Sequence, residues 1–284
     1  VTGDPKSVRD ALRAAPGAVN LAGYETASTP LAPGKKKRTL QNLIEEGRLL
    51  GDLQERLYAE STLGGAQRTV LLVLQGMDTS GKGGVVKHVI GLCSPNAVSV
   101  HAFKKPTPEE AAHHFLWRIR KALPRPGVIG VFDRSHYEDV LVPRVHELIP
   151  EAEWRRRYEE INAFEAALVE QGTTVVKCLL HISYATQRAR LLARLEDPTK
   201  WWKFNEGDVT ERAYWADYQA AYAGMLQHCS PEHAPWYVVP SDRKWYRNWA
   251  VGQLLVEALN DLDPRYPEPH LDIERLRQRL QPPY

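Results

Sequence analysis

The chain has 284 residues, 43% of them apolar and 25% charged, which suits one large folded domain and is too rich in aliphatic side chains for disorder. A net charge of +2 gives no general attraction for nucleic acid, so any anion site must come from local clustering. Cys93, Cys178 and Cys229 are far apart and odd in number, which argues against a disulfide framework or a zinc site and for a reducing compartment. No apolar run approaches the roughly 18–20 residues that span a bilayer. The first thirty residues also lack the continuous apolar stretch of a secretory signal. The expected location is the cytoplasm, with neither membrane nor nucleic acid as a partner.

In chain order, residues 1–38 are rich in Gly, Pro and Ala and end in the basic tract "GKKKR"; they read as an extended arm. Residues 39–267 read as one domain and 268–284 as a tail with a short helix at 272–280. Apolar residues near helical spacing predict a leading helix over 40–61. Strands follow at 69–75, 97–103, 127–133, 174–182 and 236–240, nearly uniformly apolar, as expected of parallel strands covered on both faces. Helices are predicted at 83–93, 108–122, 151–171, 185–196, 211–228 and 244–260. The alternation implies an α/β three-layer fold with a five-stranded parallel sheet.

The first strand runs into "QGMDTSGKGG" (75–84). Gly76-x-x-x-x-Gly81-Lys82 has the spacing of a phosphate-binding P-loop, between a strand and a helix as that motif requires. Gly76, Ser80, Gly81, Gly83 and Gly84 would let backbone N–H groups face phosphates, with Lys82 lying over them. The magnesium-binding Ser or Thr that usually follows the lysine is replaced by Gly83. Asp78, inside the loop, is either a substitute metal ligand, since magnesium takes oxygen donors, or a turn cap. The third strand ends in "GVIGVFDRSHYED" (127–139). Asp133 is its first polar residue, at the carboxyl edge where open α/β sheets bind ligands. It supplies a second metal carboxylate, and Arg134 beside it can neutralise phosphoryl oxygens. His136 reads equally as an acceptor contact or as a hydrogen-bonded structural histidine.

Four blocks, "GMDTSGKGG", "DRSHYEDV", "LARLEDPTKWWKF" and "APWYVVPSDRKWYRNWAV", closely resemble the polyphosphate kinase 2 family, over about residues 40–267. The resemblance implies a P-loop kinase-like fold with a helical lid at about 187–210. It implies magnesium, with manganese as an alternative, and transfer of phosphate from inorganic polyphosphate to AMP or ADP, with guanine nucleotides as further candidates. It also implies functional roles for Asp78, Lys82, Asp133, Arg134 and Arg194, and a homo-oligomer, dimer or tetramer. Family members with "RSHYED" resemble the group that phosphorylates both mono- and diphosphates. Glu138 stands there in place of the Asn of diphosphate-specific members, which marks it as an acceptor residue. One departure is that the "RSHYED" group often carries Asn where this chain has Asp133.

In the lid, Arg190 and Arg194 are one turn apart and share a helix face, with Lys200 and Lys203 beyond an Asp-Pro break. A polymer of phosphates needs a groove of cations, for which Lys87, Lys104, Lys105, Arg144, Arg190 and Lys203 are candidates. As an isolated charge run the lid segment reads first as a solvated helix with Trp201 and Trp202 in the core; the strand order and the resemblance reverse that for Arg194, and less so for Arg188 and Arg190. Trp236, Trp245 and Trp249 read as packing residues, and His228, Cys229 and His233 lack the second ligand pair of a metal site. Two rival functions fit the same motifs: an ATP-dependent nucleoside or nucleotide kinase, and a non-catalytic phosphate- or nucleotide-binding module.

Overall fold

The computed structural model describes residues 6–268 and 271–281; the outermost parts of the predicted arm (1–5) and tail (269–270 and 282–284) lie outside that range. Five strands, β1 (Thr69–Gln75), β2 (Val98–Ala102), β3 (Ile129–Asp133), β4 (Thr173–His181) and β5 (Trp236–Pro240), form one sheet in the order β2-β3-β1-β4-β5. Every pairing is parallel, as the apolar strand runs predict. Along β1 the pleat alternates faces. Val70, Leu72 and Leu74 join one core with α2 (Lys36–Gly64), α3 (Lys82–His88) and α11 (Lys244–Leu262). Leu71 and Val73 join a second core with α6 (Glu138–Val145), α7 (Glu151–Glu170) and α10 (Trp215–His228). Trp236 and Trp249 are buried in these cores, as expected of packing residues.

β2 departs from the expectation of a strand covered on both faces: Ser99, Val100, His101 and Ala102 are exposed. It is the last strand on its side of the sheet and pairs only with β3, so neither layer reaches over it. The opposite edge is covered by the arm. Its helix α1 (Val8–Leu12) buries Val8 and Leu12 against the α11 core, and Glu257 accepts hydrogen bonds from the first N–H groups of that helix, Val8 at 2.8 Å and Arg9 at 3.1 Å. Arg13 pairs antiparallel with Tyr237 on β5. Farther along, Thr26 donates to Asp242 at 2.8 Å and Tyr246 donates to the carbonyl of Pro30 at 3.0 Å. The basic tract opens α2 at Lys36 instead of belonging to the arm.

The region 108–122 forms two short helices, α4 (Pro108–Ala111) and α5 (Trp117–Lys121). The pattern at 211–228 begins with a 3₁₀ turn before α10, and α9 (Glu206–Glu211) precedes it unanticipated. Helix α6 was hidden by Pro143, which lies inside it. A proline there deprives the carbonyl four residues earlier of its N–H donor. That carbonyl belongs to Asp139, and Arg157 of α7 supplies the missing hydrogen bond at 2.9 Å. The tail helix α12 spans Ile273–Arg279 and is largely exposed.

Candidate active site

β1 lies at the topological switch of the sheet. The chain first adds strands on one side of it and then on the other, so a crevice opens at its carboxyl end. The glycine loop enters that crevice. Gly76 has φ +144, and a Cβ there would lie 2.6 Å from the carbonyl oxygen of Leu180, so only glycine lets the loop leave the strand beside β4. Lys82, 8% exposed, donates to the Gly76 carbonyl at 2.8 Å and closes the loop. The hydroxyls of Thr79 and Ser80 are buried without partners; orphaned donors of this kind suit a phosphate oxygen. A Cβ on Gly83 would meet nothing within 4 Å. Packing therefore does not demand glycine there, and the usual hydroxyl is replaced by open space.

In register, Leu74 of β1 stands opposite Asp133 of β3, which places Asp133 beside the loop. Arg134 follows in the left-handed region, φ +64, its N–H bonded to the Leu74 carbonyl at 3.0 Å. Such a conformation costs a non-glycine residue on the order of 1–3 kcal/mol, and here it turns the guanidinium onto Asp78, at 2.7 Å. Asp78, Asp133 and Glu138 all act on the charges of Lys82 and Arg134, so three carboxylates surround one pair of cations. Burial holds the Lys82 pKa below the usual lysine value, with Arg134 adding to the depression and the three carboxylates opposing it. Burial pushes the Glu138 carboxyl up, against the pull of Arg134 and Lys82.

His136 does not face the crevice. Its ring is completely buried and Nε2 pairs with Glu165 at 3.1 Å, so of its two readings the structural histidine is the one present. The same Glu165 accepts from the Tyr137 hydroxyl at 2.8 Å and pairs with Lys177 at 2.5 Å; Lys177 also donates to the Cys229 carbonyl at 2.8 Å. This buried network fastens the segment between Arg134 and Glu138 to α7, β4 and the end of α10. Sequence reading missed it because Glu165 and Lys177 look like ordinary helix and strand charges.

The segment expected to act as a lid, about 187–210, begins within α8 (Tyr184–Leu195). Arg190 and Arg194 share a face as predicted but bond differently. Arg190 donates to the carbonyls of Thr79 (2.8 Å), Ser80 (3.2 Å), Ser241 (2.6 Å) and Asp242 (3.0 Å). Those donors hold backbone, not open space. Arg194 pairs with Asp208 at 3.1 Å and bonds the Lys203 carbonyl at 3.2 Å. Gln187, fully buried, donates to the Asp78 carbonyl at 3.3 Å. Trp201 and Trp202, read by one alternative as core residues, are 57% and 78% exposed, and the Lys203 ammonium sits 4.7 Å from the Trp202 ring centre. Lys104 and Lys105 are exposed just past β2, where Phe103 N–H bonds the Asp133 carbonyl at 3.1 Å. Lys87 is exposed on the last turn of α3. Arg144 instead packs over the Trp154 ring at 4.9 Å, between α6 and α7.

Comparison with known proteins bears on this arrangement. Residues 34–267 match the family model described as Polyphosphate kinase 2 (PPK2). The chain belongs to the polyphosphate kinase 2 family. It is 44% identical to the AMP/ADP-polyphosphate phosphotransferase of Meiothermus ruber, covering 92% of this chain and 96% of that one. It is 40% identical to the ADP-polyphosphate phosphotransferase of Rhodopseudomonas palustris, covering 92% and 94%. The crystal structure of Polyphosphate Kinase 2 from Arthrobacter aurescens TC1 superposes with a TM-score of 0.94 at 47% identity, covering 98% of each chain. The fold of this polyphosphate kinase 2 family member is accordingly the expected P-loop kinase-like α/β architecture, and the protein is a phosphotransferase.

The donor set of this kinase fits a small divalent cation. Asp78 and Asp133 are half-buried oxygen donors beside the phosphate loop, and none of the ion pairs among the described residues uses Asp133. No group of three or more His, Cys, Asp or Glu gathers to hold a metal among the described residues. Magnesium is commonly held by one or two carboxylates together with substrate phosphates; Asp78, which also pairs with Arg134 at 2.7 Å, and Asp133 are the two that would hold it here.

Proposed function

We propose that this chain transfers the terminal phosphoryl group of inorganic polyphosphate to AMP and to ADP, reversibly, with magnesium or manganese held by Asp78 and Asp133. The observation that carries the reading is near full-length identity of 44% to an AMP/ADP-polyphosphate phosphotransferase, in a chain whose "RSHYED" segment sits at the crevice. The donor's terminal P–O–P link breaks while an oxygen of the acceptor phosphate forms the new bond. That acceptor oxygen is ionised near neutral pH, so no strong general base is required. The work is positioning and charge neutralisation. Lys82 and Arg134 steady the transferring group, and Arg194 is carried toward it by the lid. Thr79, Ser80 and the loop glycines cradle the donor, and Lys104 and Lys203 extend the cationic surface. When bound, the metal neutralises charge shared between phosphates. Three free, buried cysteines support action in the reducing cytoplasm. Assembly as a dimer or tetramer is part of the same proposal and rests on the family resemblance.

The test offers polyphosphate or ATP as sole donor to AMP, ADP, GMP and GDP. Polyphosphate should yield ADP and ATP from AMP, and chelation of divalent ions should lower the rate at least about a hundredfold, restored by magnesium. Transfer from ATP but not from polyphosphate would show a conventional nucleotide kinase.

Glu138 gives a pH prediction. Its carboxyl is raised by burial, so the ionised form is lost, as pH falls, at a higher pH than for an ordinary glutamate. Activity with AMP should therefore decline on the acid side within that raised range. Glu138→Gln should flatten this limb in a pH–rate profile; an unchanged limb would assign it to another group.

A further inference from the structure

The phosphate loop is braced from behind by a buried cation that neither the motifs nor the family resemblance singled out. Arg247, on the first turn of α11, is 3% exposed. Its Nη1 donates to the Ser80 carbonyl at 3.2 Å, and its Nε and Nη2 donate to the Asn248 side-chain oxygen at 3.1 and 2.7 Å. The guanidinium occupies space that two loop glycines leave open. A Cβ on Gly81 would lie 1.7 Å from Nη1, and one on Gly84 would lie 2.6 Å from Nη2. Gly81 also has φ +110, so side chains are excluded there twice over.

What sets Arg247 apart is its lack of a counter-ion. It takes part in no ion pair among the described residues, and its partners are a carbonyl and an amide. Arg190, bonded to the Thr79 and Ser80 carbonyls of the same loop, likewise meets carbonyls only. A buried charge satisfied by neutral acceptors keeps its hydrogen bonds but not its charge balance. In keeping with this, burial and the neighbouring Arg190 hold the Arg247 pKa down to about 10. A structural arginine in a core is ordinarily matched with a carboxylate. Arg247 backs the glycine loop through the Ser80 carbonyl and the space beside Gly81 and Gly84.

We propose that Arg247 is a positioning residue whose unbalanced charge is completed by the bound phosphate chain: it fixes the Ser80–Gly84 backbone from behind and adds positive potential through the loop. This rests on the polyphosphate reading above. Arg247 touches the loop, not the substrate, so its effect is on donor affinity more than on turnover.

Asn248→Asp provides the test. The replacement keeps the shape and both acceptor bonds but gives the guanidinium a counter-ion inside the protein. The unliganded variant should melt a few degrees higher than wild type. Its KM for polyphosphate should rise about tenfold, with kcat changed less than about threefold, and the melting shift produced by tripolyphosphate should shrink to match. Arg247→Met, which removes the charge, should weaken tripolyphosphate binding in the same direction, and Arg247→Lys should recover part of it. If Asn248→Asp binds tripolyphosphate as wild type does, Arg247 is merely structural and the proposal fails. If wild-type protein itself shows no shift with tripolyphosphate, the polyphosphate reading fails first.

Discussion

Lys82→Met is expected to lower kcat for polyphosphate-dependent phosphorylation of AMP about a thousandfold, the scale seen when a preorganised charge on a transferring group is removed. Methionine approximates the lysine side chain in length and flexibility but ends without charge or donor. Lys82 is 8% exposed and its ammonium spans the loop to the Gly76 carbonyl at 2.8 Å, so the variant also loses a loop-closing bond. That bond is worth about 0.5–1.5 kcal/mol and is offset in part because a buried charge goes with it. Stability should consequently change little while activity collapses. The lowered lysine pKa adds a sign: the protonated form is lost, as pH rises, earlier than for a free lysine, so the alkaline decline of wild-type activity should begin below the ordinary lysine range. Steady-state rates beside a thermal melt decide the matter. Activity within tenfold of wild type at unchanged stability would remove Lys82 from the machinery.

The features of the site that were legible in the sequence are those written locally. β1 and β5 have their predicted bounds, Thr69–Gln75 and Trp236–Pro240, because an uninterrupted apolar run ended by Gly or Ser marks a buried strand. Asp133 was legible as the first polar residue after such a run, and Lys82 as the end of a spaced glycine pattern. What escaped is non-local. Arg247, Glu165 and Lys177 each look like a surface charge within their own helix or strand; only the packing of α11 on the loop, or of α7 on β4, reveals them as buried. Helix α6 escaped for the same reason: Pro143 signals a break, and the compensating donor, Arg157, comes from another helix. The exposed face of β2 escaped because composition shows a strand's apolarity but not its place at the sheet edge. Trp201 and Trp202 invert the usual rule, since a large aromatic is ordinarily taken for core and here both stand exposed on the surface after α8.

Lys177→Met is expected to destabilise the fold by about 3–5 kcal/mol, the cost of stranding one member of a buried ion pair. Both Lys177 and Glu165 are fully buried, 2.5 Å apart, and removal of the lysine leaves the Glu165 carboxylate with only His136 and Tyr137. The double variant Lys177→Met/Glu165→Leu should recover much of the loss, because replacing both charges by apolar side chains removes the stranded group. The pH dependence follows from Glu165. Burial tends to raise its pKa, but Lys177, and then His136, bring it below the ordinary glutamate value. A carboxylate depressed in the folded state contributes stability that is present above its unfolded pKa and disappears as pH falls through the folded one. Wild type should therefore lose this contribution only in acid, whereas in Lys177→Met the depression is relieved and burial dominates, so that acid loss should shrink or vanish and the stability gap to wild type should narrow as pH falls. Denaturant titrations at neutral and mildly acidic pH would read both effects. The network also holds the Arg134–Glu138 segment, so a partly destabilised Lys177→Met, assayed well below its melting temperature, should show a weaker Arg134 contact with Asp78 and reduced kcat. A single variant costing under 1 kcal/mol, with the double variant no better, would mean that the pair is not ionised in the fold and that the segment is held by packing alone.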